Sequence, residues 1–215
     1  MKFIKRLLFF IVLILVVLFT SAFIFAKSIA VDISDSDLPE EVYTDTGNLL
    51  TIGRLSLLGL ILADEQEQYT IVENFMNYII LDSIRTNINA AYDPLGDLDT
   101  SEANNIIYES GFYIDYVYAK LNDVNQIVVC ISFGTDQYMK THSAIYLYFD
   151  IDINIEFMNI TLTLTLNQAY LADKEISFKV LNFIFNKLDK TSIEESMTTG
   201  TLDLTEYTYS ISLVN

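Results

Sequence analysis

YLYFDIDINIEFMNITLTLTLN, residues 146–167, alternates with a period of two along most of its length. Asp150, Asp152, Asn154 and Glu156 take the even positions, and Leu147, Phe149, Ile151, Ile153, Ile155 and Phe157 the odd ones. Side chains two apart on a strand share a face, so the stretch predicts a strand with one wet side and one apolar side. After Met158 and Asn159 the parity reverses, and Ile160, Leu162, Leu164 and Leu166 alternate with Thr161, Thr163 and Thr165. A hairpin with Met158-Asn159 as its two-residue loop accounts for the reversal. It sets Phe157 opposite Ile160, Ile155 opposite Leu162, Ile153 opposite Leu164 and Ile151 opposite Leu166, with every apolar residue on one side. On the other side Glu156 meets Thr161, Asn154 meets Thr163 and Asp152 meets Thr165. Hard cations are held by six or more converging oxygens, and nothing in this row completes such a shell. The acids therefore read as the solvated face of a sheet and not as a metal site.

The flanking sequence repeats the period. GFYIDYVYAKL (111–121), a turn at Asn122 to Asn125, QIVVCISFG (126–134) and a break near Gln137 to Thr141 lead into the hairpin, giving at least four successive strands in an antiparallel meander. KEISFKV continues the sheet, LNFIFNKL (181–188) has the spacing of a short helix, Ser192 and Glu195 offer a capping box, and TLDLTEYTYSISLVN reads as one closing strand bulged near Thr205-Glu206. Before the sheet, TIVENFMNYIILDSIRTNINAAYDP places Val72, Phe75, Met76, Ile79, Ile80, Ile84 and Ile88 at spacings of three and four, with Asn77 and Glu73 off the stripe. Thr70 with Glu73 makes a capping box and Asp93-Pro94 ends the element, which predicts a helix over 70–91. The apolar stripe and the apolar sheet face must cover each other, which makes the class α+β. A groove left between them would be lined by Phe75 and Ile79 from the helix and by Phe149, Ile151, Ile153, Ile155, Leu162, Leu164 and Leu166 from the hairpin, and would suit an acyl chain or another apolar ligand.

The 215 residues carry a formal net charge of -17. Lys2, Lys5 and Arg6 precede Leu7 to Ala26, a run interrupted by no charge and long enough to cross a bilayer core of roughly 30 Å. All 29 acids follow that run. A basic flank stays in the cytoplasm, so the expectation is residues 1–6 inside, a single-pass anchor over 7–26 and the bulk of the chain outside the cell membrane. Cleavage after Ser28-Ile29-Ala30 is the competing reading, although the apolar core is longer than that of an ordinary signal peptide. Residues 27–48 are acidic and short of large apolar groups and read as a tether, leaving 49–215 as an extracytoplasmic α+β domain. LLTIGRLSLLGLILAD (49–64) is a core helix or an apolar segment lying on the bilayer.

Composition excludes several activities. Nucleic acid and anionic lipid headgroups demand basic patches that this acidic chain does not supply. His142 is the single histidine and Cys130 the single cysteine, so neither a His/Cys zinc site nor an internal disulfide can be built, and Cys130 reads as a buried thiol. A Ser-His-Asp triad would have to use His142, and no serine stands in a G-x-S-x-G elbow. Phosphate-binding and dinucleotide motifs are lacking, and carboxylates two apart on a wet strand lack the desolvation that glycoside hydrolysis needs, so the expectation is no enzyme and no cofactor. Tyr108, Tyr113, Tyr116, Tyr118, Tyr138, Tyr146 and Tyr148 read as half-buried sheet packing or as a binding surface.

The N-terminal anchor, TIVENFMNYII, YVYAKLNDVNQIVVCISF, a hairpin leading into ITLTLTLNQAYLADKEISFKVLNFIFNKL and a last strand after TLDL together resemble the YpmS-type single-pass membrane proteins of Gram-positive bacteria and their wall-less relatives. The resemblance covers nearly all of 70–215 in order and spacing, with Met158-Asn159 where the family's turn is usually rich in Gly or Pro. It implies a curved antiparallel meander wrapped on one long helix, similar to tubular lipid-binding modules, in a family whose biochemical activity is not settled. The expected role is a membrane-anchored extracytoplasmic protein that holds a lipid or other apolar ligand. The alternative is a ligand-free interaction or scaffolding subunit of a cell-envelope complex.

Overall fold

The computed structural model describes residues 14, 17–31, 58–93, 104–136, 140–156, 159–180, 201–203 and 208–213. Residues 17–28 are helical (α1), a 3-10 turn spans Gly59–Ile61, and the main helix, α2, spans Glu65–Ser83 and widens into a π-turn over Ile84–Ile88. Eight strands follow: β1 (Ile107–Glu109), β2 (Phe112–Leu121), β3 (Ile127–Thr135), β4 (Thr141–Glu156), β5 (Asn159–Leu171), β6 (Lys174–Glu175), β7 (Thr201–Asp203) and β8 (Thr208–Leu213). They form one antiparallel sheet in the order β1-β2-β3-β4-β5-β8-β7, with β6 pairing β5. The chain is α+β, a helix packed on an antiparallel sheet.

Alternation in the sequence becomes this sheet with one correction of register. Glu156 pairs Asn159, so residues 157 and 158, not 158 and 159, lie between the strands, and Ile155 faces Ile160, Ile153 faces Leu162, Ile151 faces Leu164 and Phe149 faces Leu166. Partners have moved by two, which leaves every side chain on its expected face. The reason lies further along. The expected register would set Phe149 against Gln168, whereas the observed one keeps it on Leu166, after which Asn167 bulges and Leu147 meets Ala169. Thr201–Leu213 also differs from expectation: it is two paired strands, Asp203 against Thr208, and not one bulged strand. Only Lys174–Glu175 of KEISFKV joins the sheet, and residues 178–180 turn helical. The helix expected over 181–188 and the Ser192/Glu195 box lie outside the described residues.

The helix starts earlier and ends earlier than its apolar stripe implied. Asp64 is its cap, its Oδ1 accepting from Glu67 N–H at 3.0 Å while Glu67 Oε2 accepts from Asp64 N–H at 3.4 Å. Thr70, the expected cap, sits a turn and a half inside and bonds back to Gln66 O at 3.3 Å. Val72, Phe75, Met76 and Ile79 enter one core with Leu60, Ala119, Ile127, Val129, Leu147, Ile160, Leu162, Leu164 and Leu166. Leu81 and Ile84 join a second cluster with Tyr92 and Ile106, and Ile88 at the stripe's end stays exposed. Within 49–64, Leu60 is a core residue on a short turn and Leu62 points to solvent.

Asn77, off the apolar stripe, is 1% exposed and does what no leucine could. Its Nδ2 donates to Ala119 O and its Oδ1 accepts from Ala119 N–H, both at 2.7 Å, while Glu73 Oε2 accepts from Leu121 N–H at 3.0 Å. β1 pairs only with Phe112 to Ile114, so beyond that point α2 covers the edge of β2 with side-chain amide and carboxylate in place of a strand.

Among the described residues no helix is long and apolar enough to cross a membrane, and of the run 7–26 only residues 14 and 17–26 are described. There Ile14, Val17, Leu18, Phe19, Phe23, Ile24 and Phe25 are exposed. The tether expected from residue 27 begins as a seated segment: Val31 N–H donates to His142 O at 2.9 Å, and Val31 packs against Tyr116, Tyr118, Cys130 and Ala144.

Candidate functional site

The nine side chains expected to line an apolar groove fall into two groups. Phe75, Ile79, Leu162, Leu164 and Leu166 belong to the closed core, with Phe75 and Leu162 at 0% and Leu164 at 1% exposure. A side chain lining a cavity of ligand size would present surface to a water-sized sphere, so these positions are occupied by their neighbours. Phe149, Ile151 and Ile153 are half-buried beside that core, and Ile155 is 36% exposed. The division follows from strand lengths. β3 pairs β4 only as far as Ile127 against Phe149, and the hairpin runs on for seven residues with β4 at its margin.

The opposite face of the sheet carries the tyrosines. Tyr118, Tyr146 and Tyr148 surround a concavity of about 290 Å³ floored by Val128 and Cys130, with Lys120 and Asp123 exposed beside it. Tyr148 and Tyr170 meet edge to face at 5.5 Å. Asp150 and Asp152 lie on this face as well. Asp150 accepts from Gln126 Nε2 at 2.7 Å and Asn167 Nδ2 at 3.2 Å, which fixes the bulge, and among the described residues no group of three or more His, Cys, Asp or Glu converges as a metal site would.

At the far end of the same face lies a polar cluster that sequence reasoning missed. Ile114 pairs Phe133 and Tyr116 pairs Ser132, so Asp115 is the extra residue of a bulge, and its carboxylate turns towards β4. His142 Nε2 lies 2.8 Å from Asp115 Oδ2 and 2.7 Å from Ser132 Oγ, and Nδ1 lies 3.1 Å from Val31 O. Tyr113 stacks beside the imidazole with ring centroids 6.3 Å apart. A Cβ at Gly134 would collide with the Tyr113 ring, so the glycine is what lets the ring lie there. Burial, then the charges of Asp115 and Asp136, raise the Tyr113 phenol above its ordinary range.

The cluster contains Ser, His and Asp without the geometry of a triad. In a triad the carboxylate and the nucleophile engage opposite ring nitrogens, so that one orients the base while the other is deprotonated. Here both crowd Nε2, Ser132 is 0% exposed, and a backbone carbonyl occupies Nδ1. The arrangement is a hydrogen-bonded cluster around one ring nitrogen, an ion pair only when the imidazole is protonated. A signal for the bulge was present: the apolar parity of 111–121 switches from Ile114 to Val117, Ala119 and Leu121, with Asp115 at the switch. No family model, curated protein or solved structure matches the chain.

Proposed function

We propose that the chain is a membrane-anchored domain held outside the cell that works by binding and not by catalysis, with residues 7–26 crossing the bilayer. The charge asymmetry supports the orientation: three basic residues before the apolar run and all 29 acids after it. The ligand is a lipid or another apolar molecule, and its contact row is Phe149, Ile151, Ile153 and Ile155. The observation that carries this reading is the gradient of burial along the hairpin, from a closed core at Leu162 and Leu164 to a half-buried and then exposed apolar row on β4. The closed core at Phe75, Leu162 and Leu164 favours a second reading, a ligand-free interaction subunit of an envelope complex, in which the same row meets a protein.

Native mass spectrometry of the full chain, released from detergent in the gas phase, separates the two. A retained lipid mass that Ile153→Gln and Ile155→Gln abolish, and that Lys120→Ala on the other face leaves intact, is the expected result. A bare mass in folded protein, or a lipid mass indifferent to Ile153 and Ile155, removes the ligand from this row. Cross-linking from Ile155 in intact cells then tests the interaction subunit.

A further inference from the structure

Where α1 ends, residues 28–31 are held on the domain through their carbonyl groups. Lys174 Nζ donates to Ser28 O at 3.0 Å, Ser143 Oγ donates to Ile29 O, and the Val31 carbonyl faces His142 Nδ1 at 3.1 Å. Carbonyls at the end of a helix lack partners within it, so outside donors decide where such an end is held. On its other side the same ring meets Asp115 Oδ2 at 2.8 Å and Ser132 Oγ at 2.7 Å through Nε2.

A carbonyl oxygen and an ionised carboxylate only accept, so hydrogen bonds on both sides of the ring require a proton on both nitrogens. Neutral imidazole carries one. With that proton on Nδ1 the bond to Val31 O would survive, but an Nε2 lone pair would confront the carboxylate at 2.8 Å; the carboxylate therefore holds the proton on Nε2, and a lone pair on Nδ1 confronts Val31 O. We propose that His142 is a proton-operated latch: the imidazolium, paired with Asp115, grips the Val31 carbonyl and seats the segment that joins α1 to the sheet, and loss of the ring proton releases it.

The surroundings of the ring fix the direction of the effect. Asp115 on β2 is the anion in contact, Tyr113 on β2 is the stacked neutral ring, Ser132 on β3 is a neutral hydroxyl, and Asp136 beyond β3 adds negative charge felt at Tyr113. The imidazole side chain is 22% exposed and that of Asp115 7%, so solvent exchanges the ring proton while the counter-ion stays dry. The seated state binds one more proton than the released state. By linkage it is favoured as pH falls through the imidazole titration and lost as pH rises through it. The latch goes beyond the binding reading and holds whatever surrounds α1.

The test uses the full chain, labelled with ¹⁵N, in detergent micelles. His142 is the one histidine, so the ring nitrogen signals report its proton count without assignment ambiguity. In the same pH series, exchange of the Val31 amide, corrected for its intrinsic rate, reports seating. Protection of Val31 is expected to fall by about tenfold or more as the ring loses its proton, with coincident midpoints. Asp115→Asn moves both midpoints to lower pH together, and His142→Gln abolishes the step. Val31 protection that is unchanged across the ring titration, or a step that survives in His142→Gln, overturns the latch. Should a variant fail to fold, the two wild-type curves alone decide the matter.

Discussion

A buried amide that donates to Ala119 O and accepts from Ala119 N–H, both at 2.7 Å, leaves no room for an apolar substitute of the same size. In Asn77→Leu the packing volume is retained, yet two backbone groups lose their partners under a helix that keeps water out. Each orphaned group costs about 1–3 kcal/mol. The urea midpoint of Asn77→Leu is therefore expected to drop far more than that of an exposed control such as Asn87→Ala. An unchanged midpoint would mean that the edge of β2 finds other partners. The sequence pattern could not announce this residue. Hydropathy puts Asn77 on the wet side of the helix, and its role depends on a strand 42 residues away, which no local period encodes. His142 was hidden for a similar reason, since one of its partners is a backbone carbonyl at Val31, and a carbonyl has no sequence; Asp115 reaches the ring only because a bulge turns it there.

At the level of elements, what was legible followed from alternation, and what was not followed from polar ends. The hairpin faces, the β2 and β3 strands and the turn between them come straight from a period of two, because a sheet buried on one side punishes any slip by a single residue. A slip by two preserves the faces, so the hairpin register was open until Phe149 chose Leu166 over Gln168. The start of α2 was invisible for a different reason: Glu65, Gln66, Glu67 and Gln68 carry no apolar stripe, and the capping pair Asp64 and Glu67 precedes the hydrophobic signal. That pair has a measurable weight. Asp64→Ala is expected to destabilise the fold by about 0.5–2 kcal/mol, and Thr70→Ala, which removes only a back-bond within the helix, by much less. Equal losses in thermal unfolding would return the cap to Thr70. For the hairpin row the faces were legible and the burial was not, because burial of the hairpin depends on where β3 stops.

Taken whole, the molecule is an antiparallel sheet with its two faces put to different uses. One face is closed by α2 around Phe75 and Leu162 and opens towards Ile155. The other carries tyrosines, acids and the cluster at which Val31 is seated. The seat at the end of the N-terminal helix and the half-open row lie on opposite faces of this one sheet.

Cys130 stands in the middle of β3, between Tyr118 on β2 and Tyr146 on β4, at 1% exposure. As the sole thiol of the chain it makes the protein its own clock. A disulfide reagent added to native protein reacts only when the tyrosines over the thiol or the strands beside it move apart, so the labelling rate relative to a free thiol counts those openings. Expected is a rate that tracks global unfolding in urea and ignores ligands of the hairpin row unless they bind. Rapid labelling without denaturant would show that the cover over Cys130 opens while the rest of the fold stands.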